Sequence, residues 1–238
     1  MTSFELTIGM TESERVLFRL QTLHHDRVEA IQKDKAVVPL CDPGRLVVHL
    51  MPEQAVDATN DHSAAEVKRA AQNIRPLGAG NGRYSDSRYN ADGVLFFSGR
   101  EYSQLYRSGV YEGVMADAVF QQNEQAKTLR ENWCEDAMLG ALVGYLTFAK
   151  NLGLQPPFWM FAAMVGCEGA RICLDRDWGD LSKGAIDRSL VWLPYLKVEA
   201  FEVDADKLLR PIFDVLWNSA GLERSFNYDE LGNRRARR

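Results

Sequence analysis

The chain has 238 residues, of which 46% are hydrophobic and 26% are charged, and its formal net charge at pH 7 is −5. This is an ordinary globular composition, and it excludes the collagen-like, disordered and membrane-embedded classes of protein. Because one core commonly accommodates a chain of this length, we expect a single domain over residues 1–238, with loosely ordered ends at 1–10 and 224–238.

The first predicted elements are a helix, a core strand and a second, shorter helix. Thr11 and Glu14 form a capping box at the start of an amphipathic helix that runs to about Lys35. The β-branched run RLVVHLM at residues 45–51 predicts a strand in the core. A good N-cap then predicts a short surface helix over residues 63–73.

A loop and a β-hairpin follow. Residues 74–93 are rich in Gly, Asn, Asp, Ser and Arg, and this composition predicts the longest loop of the chain. Residues 94–98 predict the next strand. Two further strands, at 101–107 and 110–116, are separated by two turn residues, a spacing that is typical of a hairpin.

The second half begins with the predicted central helix, over residues 123–153, which ends at a glycine. FWMFAAMVG and ARICL, within residues 158–174, predict a second hairpin. Residues 190–201 predict a strand interrupted at Pro194, as at a sheet edge or a bulge. An aspartate at position 204 or 206 then caps a last helix through Trp217.

These elements together predict an α+β fold. The strands come in hairpins and the helices are few, so the parallel βαβ rhythm is not indicated. We expect a mostly antiparallel sheet with the long central helix across one face and with the N-terminal and C-terminal helices packed on it.

The sequence also favours a cytoplasmic setting without a membrane. Its longest apolar stretches, such as residues 156–166, fall short of the about 20 residues that a membrane-spanning helix needs. Residues 1–15 lack the basic start and the continuous apolar run of a secretory signal. The four cysteines form no C-x-x-C pair and are too sparse for a disulfide framework, so we expect reduced thiols.

The residues that carry chemistry form no recognisable motif. No serine lies in a G-x-S-x-G context, and the acidic neighbours of Cys134 would raise the pKa of its thiol. The four histidines include no pair at i, i+4 spacing, and the aspartates at 175, 177 and 180 lack the closing glutamate of a calcium loop. We therefore expect no catalytic residue, no metal and no cofactor.

Basic residues concentrate in two places of this acidic chain. Residues 75–109 hold five arginines and three acidic residues, and residues 234–238 hold four arginines. Guanidinium groups and aromatic faces together can hold phosphate and stack on bases. The candidate nucleic-acid or phosphate site comprises Arg83, Tyr84, Arg88, Tyr89, Arg100 and Arg107. The competing interpretation is a packed Tyr89, an Asx-type turn and solvated arginines.

Four segments in order, RLVVHLMP, RYNADGVLFFS, EYSQLYRSGVYEGV and LLRPIFDVLWNSAGLERSFNYDE, resemble the C-terminal region that follows the Schlafen-type AlbA domain in bacterial putative DNA-binding proteins. The resemblance covers roughly residues 12–231. In those proteins the preceding domain is the part associated with nucleic acid or nucleotide, and we expect that domain to be absent here. No catalytic residue carries over, because the resembling segments are typical of turns, a hairpin tip and a helix end.

We therefore expect a non-enzymatic accessory or protein-interaction module of a bacterial nucleic-acid-associated system, in regulation or defence. Its partner would be another protein or a second copy of the chain. One alternative is direct binding of a nucleic acid or a nucleotide through the arginines and tyrosines of residues 83–107. A second alternative is an enzyme whose site is assembled from residues distant in the sequence.

Overall fold

The computed structural model describes residues 9–40, 44–56, 61–79, 85–99, 101–121, 126–174 and 181–235. The helices in these ranges are α1 (Glu12–Gln32), α2 (Ala64–Ala70), α3 (Glu131–Leu152) and α4 (Ala205–Asn218), and a 3-10 turn covers Glu53–Val56. The strands are β1 (Arg45–Pro52), β2 (Asp86–Asn90), β3 (Gly93–Phe97), β4 (Glu101–Tyr106), β5 (Tyr111–Met115), β6 (Val119–Phe120), β7 (Thr128–Leu129), β8 (Phe158–Val165), β9 (Arg171–Ile172), β10 (Leu190–Trp192) and β11 (Leu196–Val198).

Eight of these strands form one sheet in the order β10-β8-β1-β5-β4-β3-β2, with β11 also paired to β8. Every pairing described in this sheet is antiparallel. The mostly antiparallel α+β fold predicted from the sequence is therefore confirmed. A second, small sheet joins β6, β7 and β9.

Helices cover both faces of the large sheet. Side chains alternate between the two faces along each strand, so the apolar residues of one strand pack against helices on both sides. On one face, Leu46, Val48 and Leu50 of β1 share a buried cluster with apolar residues of α2, α3 and α4. On the other face, Val47 of β1 packs with Val28 and other residues of α1 and the segment after it. Among the described residues, no helix is both long and apolar enough to cross a membrane.

Several local predictions are confirmed. Thr11 caps α1, and its backbone N–H donates to Glu14 Oε2 at 2.7 Å while the Glu14 N–H donates to Thr11 Oγ1 at 3.3 Å. The turn between β4 and β5 contains Gly109 at φ +85°, a conformation that L side chains rarely adopt. Asp204 caps α4, and the strand at 190–201 breaks into β10 and β11 on either side of Pro194, as predicted.

Two predictions about the boundaries of loops and helices are wrong. The predicted loop at 74–93 contains the strand β2, because residues 86–90 pair with β3 in regular antiparallel register. The central helix begins at Glu131 rather than at residue 123, because Thr128 and Leu129 form the strand β7.

The predicted hairpin at 158–174 and the predicted loose end after residue 224 are also corrected. The strand β9 does not pair with β8, since it pairs in parallel with β7 instead. The segment from residue 224 is not loose over its described part. Ser225 and Tyr228 are buried there, and the Ser225 hydroxyl donates to Glu135 Oε1 of α3 at 2.8 Å.

Candidate functional site

The structure separates the described residues of the arginine and tyrosine cluster. Arg83, Tyr84 and Arg100 lie outside the described residues. Arg88 and Tyr89 are neighbours on β2, so their side chains point to opposite faces of the sheet. The Arg88 guanidinium lies over the Phe97 ring, 5.4 Å from its centroid, and Arg107 Nε donates to the Ala91 carbonyl at 3.1 Å. These three residues therefore do not converge on a common point.

A different set of polar residues does converge, between α1 and the sheet. His49 of β1 and Glu112 of β5 are directly opposite each other in the antiparallel register. His49 Nε2 donates to Glu112 Oε2 at 3.0 Å, and the two Nδ1 atoms of His49 and His24 are 2.8 Å apart. Arg27, one helical turn beyond His24, donates two hydrogen bonds to Glu112 at 2.7 and 2.9 Å. We call these four residues the buried network.

The buried network contains one ion pair, in which the charge of Arg27 balances the charge of Glu112. Burial alone would raise the pKa of Glu112, but the hydrogen bonds from Arg27 and His49 lower it to about 2. Burial, together with the nearby imidazoles of His49 and His25, lowers the pKa of His24 to about 2. At neutral pH Glu112 is therefore ionised beside Arg27, while His24 is uncharged.

The protonation of Glu112 fixes how the histidines bond. An ionised carboxylate only accepts, so His49 Nε2 must carry a hydrogen. In the form with a neutral His49, His49 Nδ1 accepts and His24 Nδ1 donates, which leaves a lone pair on His24 Nε2. Within the described part of the chain, His24 Nε2 makes no hydrogen bond. The chain of bonds thus ends at His24, next to the protein surface.

Aromatic side chains cover that end of the network. The His24 ring stacks on Phe161 at a centroid distance of 5.3 Å and meets the edge of Trp192 at 5.4 Å. Trp192 also contacts His25, at 4.3 Å, and remains 42% exposed. Tyr195, which is 46% exposed, lies 6.0 Å from Phe161. We call His25, Trp192 and Tyr195 the aromatic patch.

The aromatic patch lies at an edge of the sheet. Trp192 ends β10 and Tyr195 precedes β11, and both strands pair with β8 on the side away from β1. Pro194 between them cannot donate to a strand ladder, so this edge is interrupted. Large aromatic side chains that stay half exposed on a rigid support are typical of surfaces that bind other molecules.

The buried network was not predicted from the sequence, which places its members on three separate elements. A signal was nevertheless present. His49 interrupts an otherwise apolar core strand, and Glu112 lies between Val110 and Val114 in the alternation of a packed strand. A titratable residue at a core position of a strand requires a partner, since an unpaired buried charge is costly. That requirement identifies His49 and Glu112 as members of a network, but it does not identify α1 as the source of the other two.

The cysteines and the possible metal ligands are the remaining candidates from the sequence. Cys134 is buried, and burial, followed by the charges of Glu131 and Glu135, raises the pKa of its thiol, the direction predicted from the sequence. Cys134 and Cys167 are free thiols. Among the residues that the structure describes, no group of three or more His, Cys, Asp or Glu side chains is arranged to hold a metal ion. The aspartates at 175, 177 and 180 lie outside those residues.

The fold and the site define an α+β protein with an aromatic surface at one sheet edge, supported by a buried ionic network. Comparison with protein-family models, with curated proteins and with solved structures finds no match to this chain. The resemblance to the region after the AlbA domain therefore stays a prediction.

Proposed function

We propose that this protein is a non-enzymatic protein-interaction module and that its partner docks on the aromatic patch. The observation that carries the proposal is the pair of half-exposed side chains Trp192 and Tyr195 on the interrupted edge of the sheet. Tryptophan and tyrosine are enriched among the residues that dominate the energy of protein interfaces. They supply large contact areas with few rotatable bonds, so little entropy is lost when they dock.

The charges around the patch favour a protein partner over a nucleic acid. Lys197, the lysine next to the patch, lies over the Trp159 ring and is 3.9 Å from Glu53 and 3.7 Å from Glu199. Both carboxylates compete with any phosphate for that cation. A nucleic-acid surface would instead present unpaired cations along the path of the backbone.

The buried network supports the proposal because it fixes the base of the patch. Arg27 and His24 of α1 are tied through Glu112 and His49 to two strands of the sheet. His24 in turn contacts Trp192. A surface that is already rigid loses less conformational entropy on binding, and this raises its affinity for a partner.

The setting of the module is proposed from the sequence resemblance. It is a bacterial nucleic-acid-associated system, in regulation or defence, and the protein acts in the cytoplasm.

The alternative, direct nucleic-acid or nucleotide binding through the arginines and tyrosines of 83–107, makes a separate prediction. Retention on DNA or RNA would then fall steeply as salt rises.

The test compares partner capture by matched variants. Tagged wild-type protein, the double variant Trp192→Ala/Tyr195→Ala, and the control Trp133→Ala are used for pull-down from native lysate, before and after treatment with nuclease. Trp133 is 43% exposed and lies on α3, across the sheet from the patch. We expect a protein that wild type and the control retain and that the double variant loses by about 30-fold, the effect of removing an interface hot spot. Equal capture by all three proteins, or recovery of nucleic acid alone before nuclease treatment, would overturn the proposal.

A further inference from the structure

A cleft on the opposite face of the molecule has the size and lining of a small-molecule site. It lies between residues 73–79 and the outer side of α3, and its volume is about 520 Å³. Sites for small ligands commonly measure about 300–1,000 Å³ and are mostly apolar with a few polar groups. This cleft is remote from the aromatic patch, since α3 and α1 cover opposite faces of the sheet.

The floor of the cleft is flat because α3 presents glycines there. Gly140 and Gly144 are one helical turn apart, and Ala137 and Ala141 continue the same floor. A Cβ atom added at Gly140 would meet nothing within 4 Å, so open space lies directly above the helix backbone. Buried Tyr111 closes the inner wall. A planar group fits such a floor better than a branched one.

One end of the cleft is formed by an oriented indole. The Arg130 guanidinium lies 4.3 Å from the centroid of the Trp133 ring and donates to Asp117 Oδ2 at 3.0 Å. Arg130 therefore fixes the orientation of Trp133, which remains 43% exposed and lines the cleft. An indole held in this way offers an edge or a face against which an aromatic ring packs.

The other wall supplies a positive charge. Arg75 is exposed and lines the cleft, and within the described residues its guanidinium makes no hydrogen bond or ion pair. Its backbone is fixed, since the Ser103 hydroxyl donates to the Arg75 carbonyl at 2.8 Å. The acidic residue of the cleft, Asp136, accepts a hydrogen bond from Arg234 at 2.7 Å, which offsets its charge. The cleft therefore favours an anion at Arg75.

We infer that this cleft binds a small aromatic anion. The planar ring lies over Gly140 and beside Trp133, with Ile74 above Gly144 as its far wall, and a phosphate or carboxylate group pairs with Arg75. A guanidinium binds either anion through two parallel hydrogen bonds, so both sources share one chemistry. The inference is independent of the proposed docking of a partner on the aromatic patch.

The test is a titration followed by fluorine NMR of protein labelled with 5-fluorotryptophan. The chain has five tryptophans, and Trp133→Phe assigns the resonance of interest. The probes are adenosine 5′-monophosphate and 2-naphthoate, with adenosine and ribose 5-phosphate as controls that lack the charge or the ring. We expect a saturable shift of the Trp133 resonance with at least one of the two anions, and binding at least about tenfold weaker for both controls.

Three variants decide whether the shift reports this cleft. Gly140→Leu fills open space on a helix surface, so it should preserve the fold and abolish the shift. Arg75→Gln should weaken binding of the anion by about tenfold and leave the weak binding of adenosine unchanged. Trp192→Ala, in the aromatic patch, should leave the titration unchanged. Absence of a saturable shift with both anions at about 10 mM, or a shift that Gly140→Leu does not alter, would overturn the inference.

Discussion

Glu112 accepts hydrogen bonds from three side chains, those of Arg27, His49 and Tyr102, and none of its surface is exposed. A carboxylate at this position is tolerated only because its charge is balanced. Arg27 remains partly exposed, with 27% of its side chain accessible, so the pair combines a buried anion with a cation that reaches solvent. The network thus costs less to bury than two fully enclosed charges.

Replacing Glu112 with glutamine should lower the free energy of unfolding by about 2–3 kcal/mol, because the charge of Arg27 then loses its partner and the donors of three side chains compete for one amide oxygen. Urea denaturation at pH 7.5 measures this change. The matched control is Glu29→Gln, which breaks an exposed ion pair with Lys33 and should change the stability little. Equal stability of Glu112→Gln and wild type would contradict the role assigned to the network.

His24 makes the stability of the protein sensitive to mild acid. Its pKa in the folded state, about 2, lies below the ordinary value of 6.5, so between these values the unfolded state binds a proton that the folded state does not. Stability therefore rises with pH across this window and falls as the pH drops below about 6.5. Glu112 adds to the loss only below its ordinary value of 4.5, since its folded pKa is also about 2.

The variant His24→Leu should remove this dependence. Between pH 7.5 and pH 5.5 the wild type should lose roughly 1 kcal/mol more stability than the variant, because only the wild type gains a proton at this position on unfolding. The quantity to compare is the slope of the unfolding free energy with pH, whatever the offset at pH 7.5. Parallel curves for the two proteins would show that the pKa of His24 is the same in the folded and unfolded states, which would contradict this prediction.

At the scale of elements, α3 organises the C-terminal part of the chain. Glu135 of α3 accepts hydrogen bonds from Trp217 Nε1 at 2.9 Å, Ser225 Oγ at 2.8 Å and Asn227 Nδ2 at 2.9 Å. These donors come from α4 and from the segment after it. One buried carboxylate therefore fastens a stretch of backbone that composition alone predicts to be loose.

Replacing Glu135 with alanine should release that stretch. Amide hydrogen exchange over residues 225–235 should become at least about tenfold faster, since the segment loses its hydrogen bonds to the buried carboxyl group. Exchange in α1 and β1 should stay unchanged. The control Glu230→Ala alters an exposed carboxylate of the same segment and should have no effect. Protection of 225–235 in Glu135→Ala would show that apolar packing alone holds the segment.

The elements that the sequence predicts correctly are those with long periodic patterns or clear caps. The helix α1 has a capping box and the strand β1 a mostly apolar run rich in β-branched residues, and both appear within a few residues of the predicted bounds. The sequence does not predict β7, and it predicts β8 as the partner of β9. Each of these two strands has only two residues, and they pair with each other across a long stretch of chain. Such pairings depend on the assembled fold and leave no local pattern.

At the scale of the whole molecule, the same distinction explains what could be predicted of the site. The interruption of the strand at Pro194 is predicted from the sequence, but the contact between Trp192 and His24 depends on how α1 crosses the sheet. Arg88 and Tyr89 of the arginine and tyrosine cluster are adjacent in the sequence, and alternation along β2 places their side chains on opposite faces of the sheet. Adjacency along a strand thus argues against a shared site, whereas distance in sequence does not.

The four segments on which the predicted resemblance to the region after the AlbA domain rests fall mainly on regular elements. They cover β1, the pairs β2–β3 and β4–β5, and α4 with the segment anchored at Glu135. Their pattern is explained by packing, hydrogen bonding and turns, and the aromatic patch at 192–195 lies outside them.

Site-specific photo-crosslinking in cells that naturally contain the protein shows whether a partner contacts Trp192. A p-benzoylphenylalanine residue replaces Trp192 in one protein and Val143, which is 55% exposed on α3, in the control. We expect a crosslink from position 192 to another protein or to a second copy of the chain, and none from position 143. No protein crosslink at 192, or the same product from both positions, would contradict it.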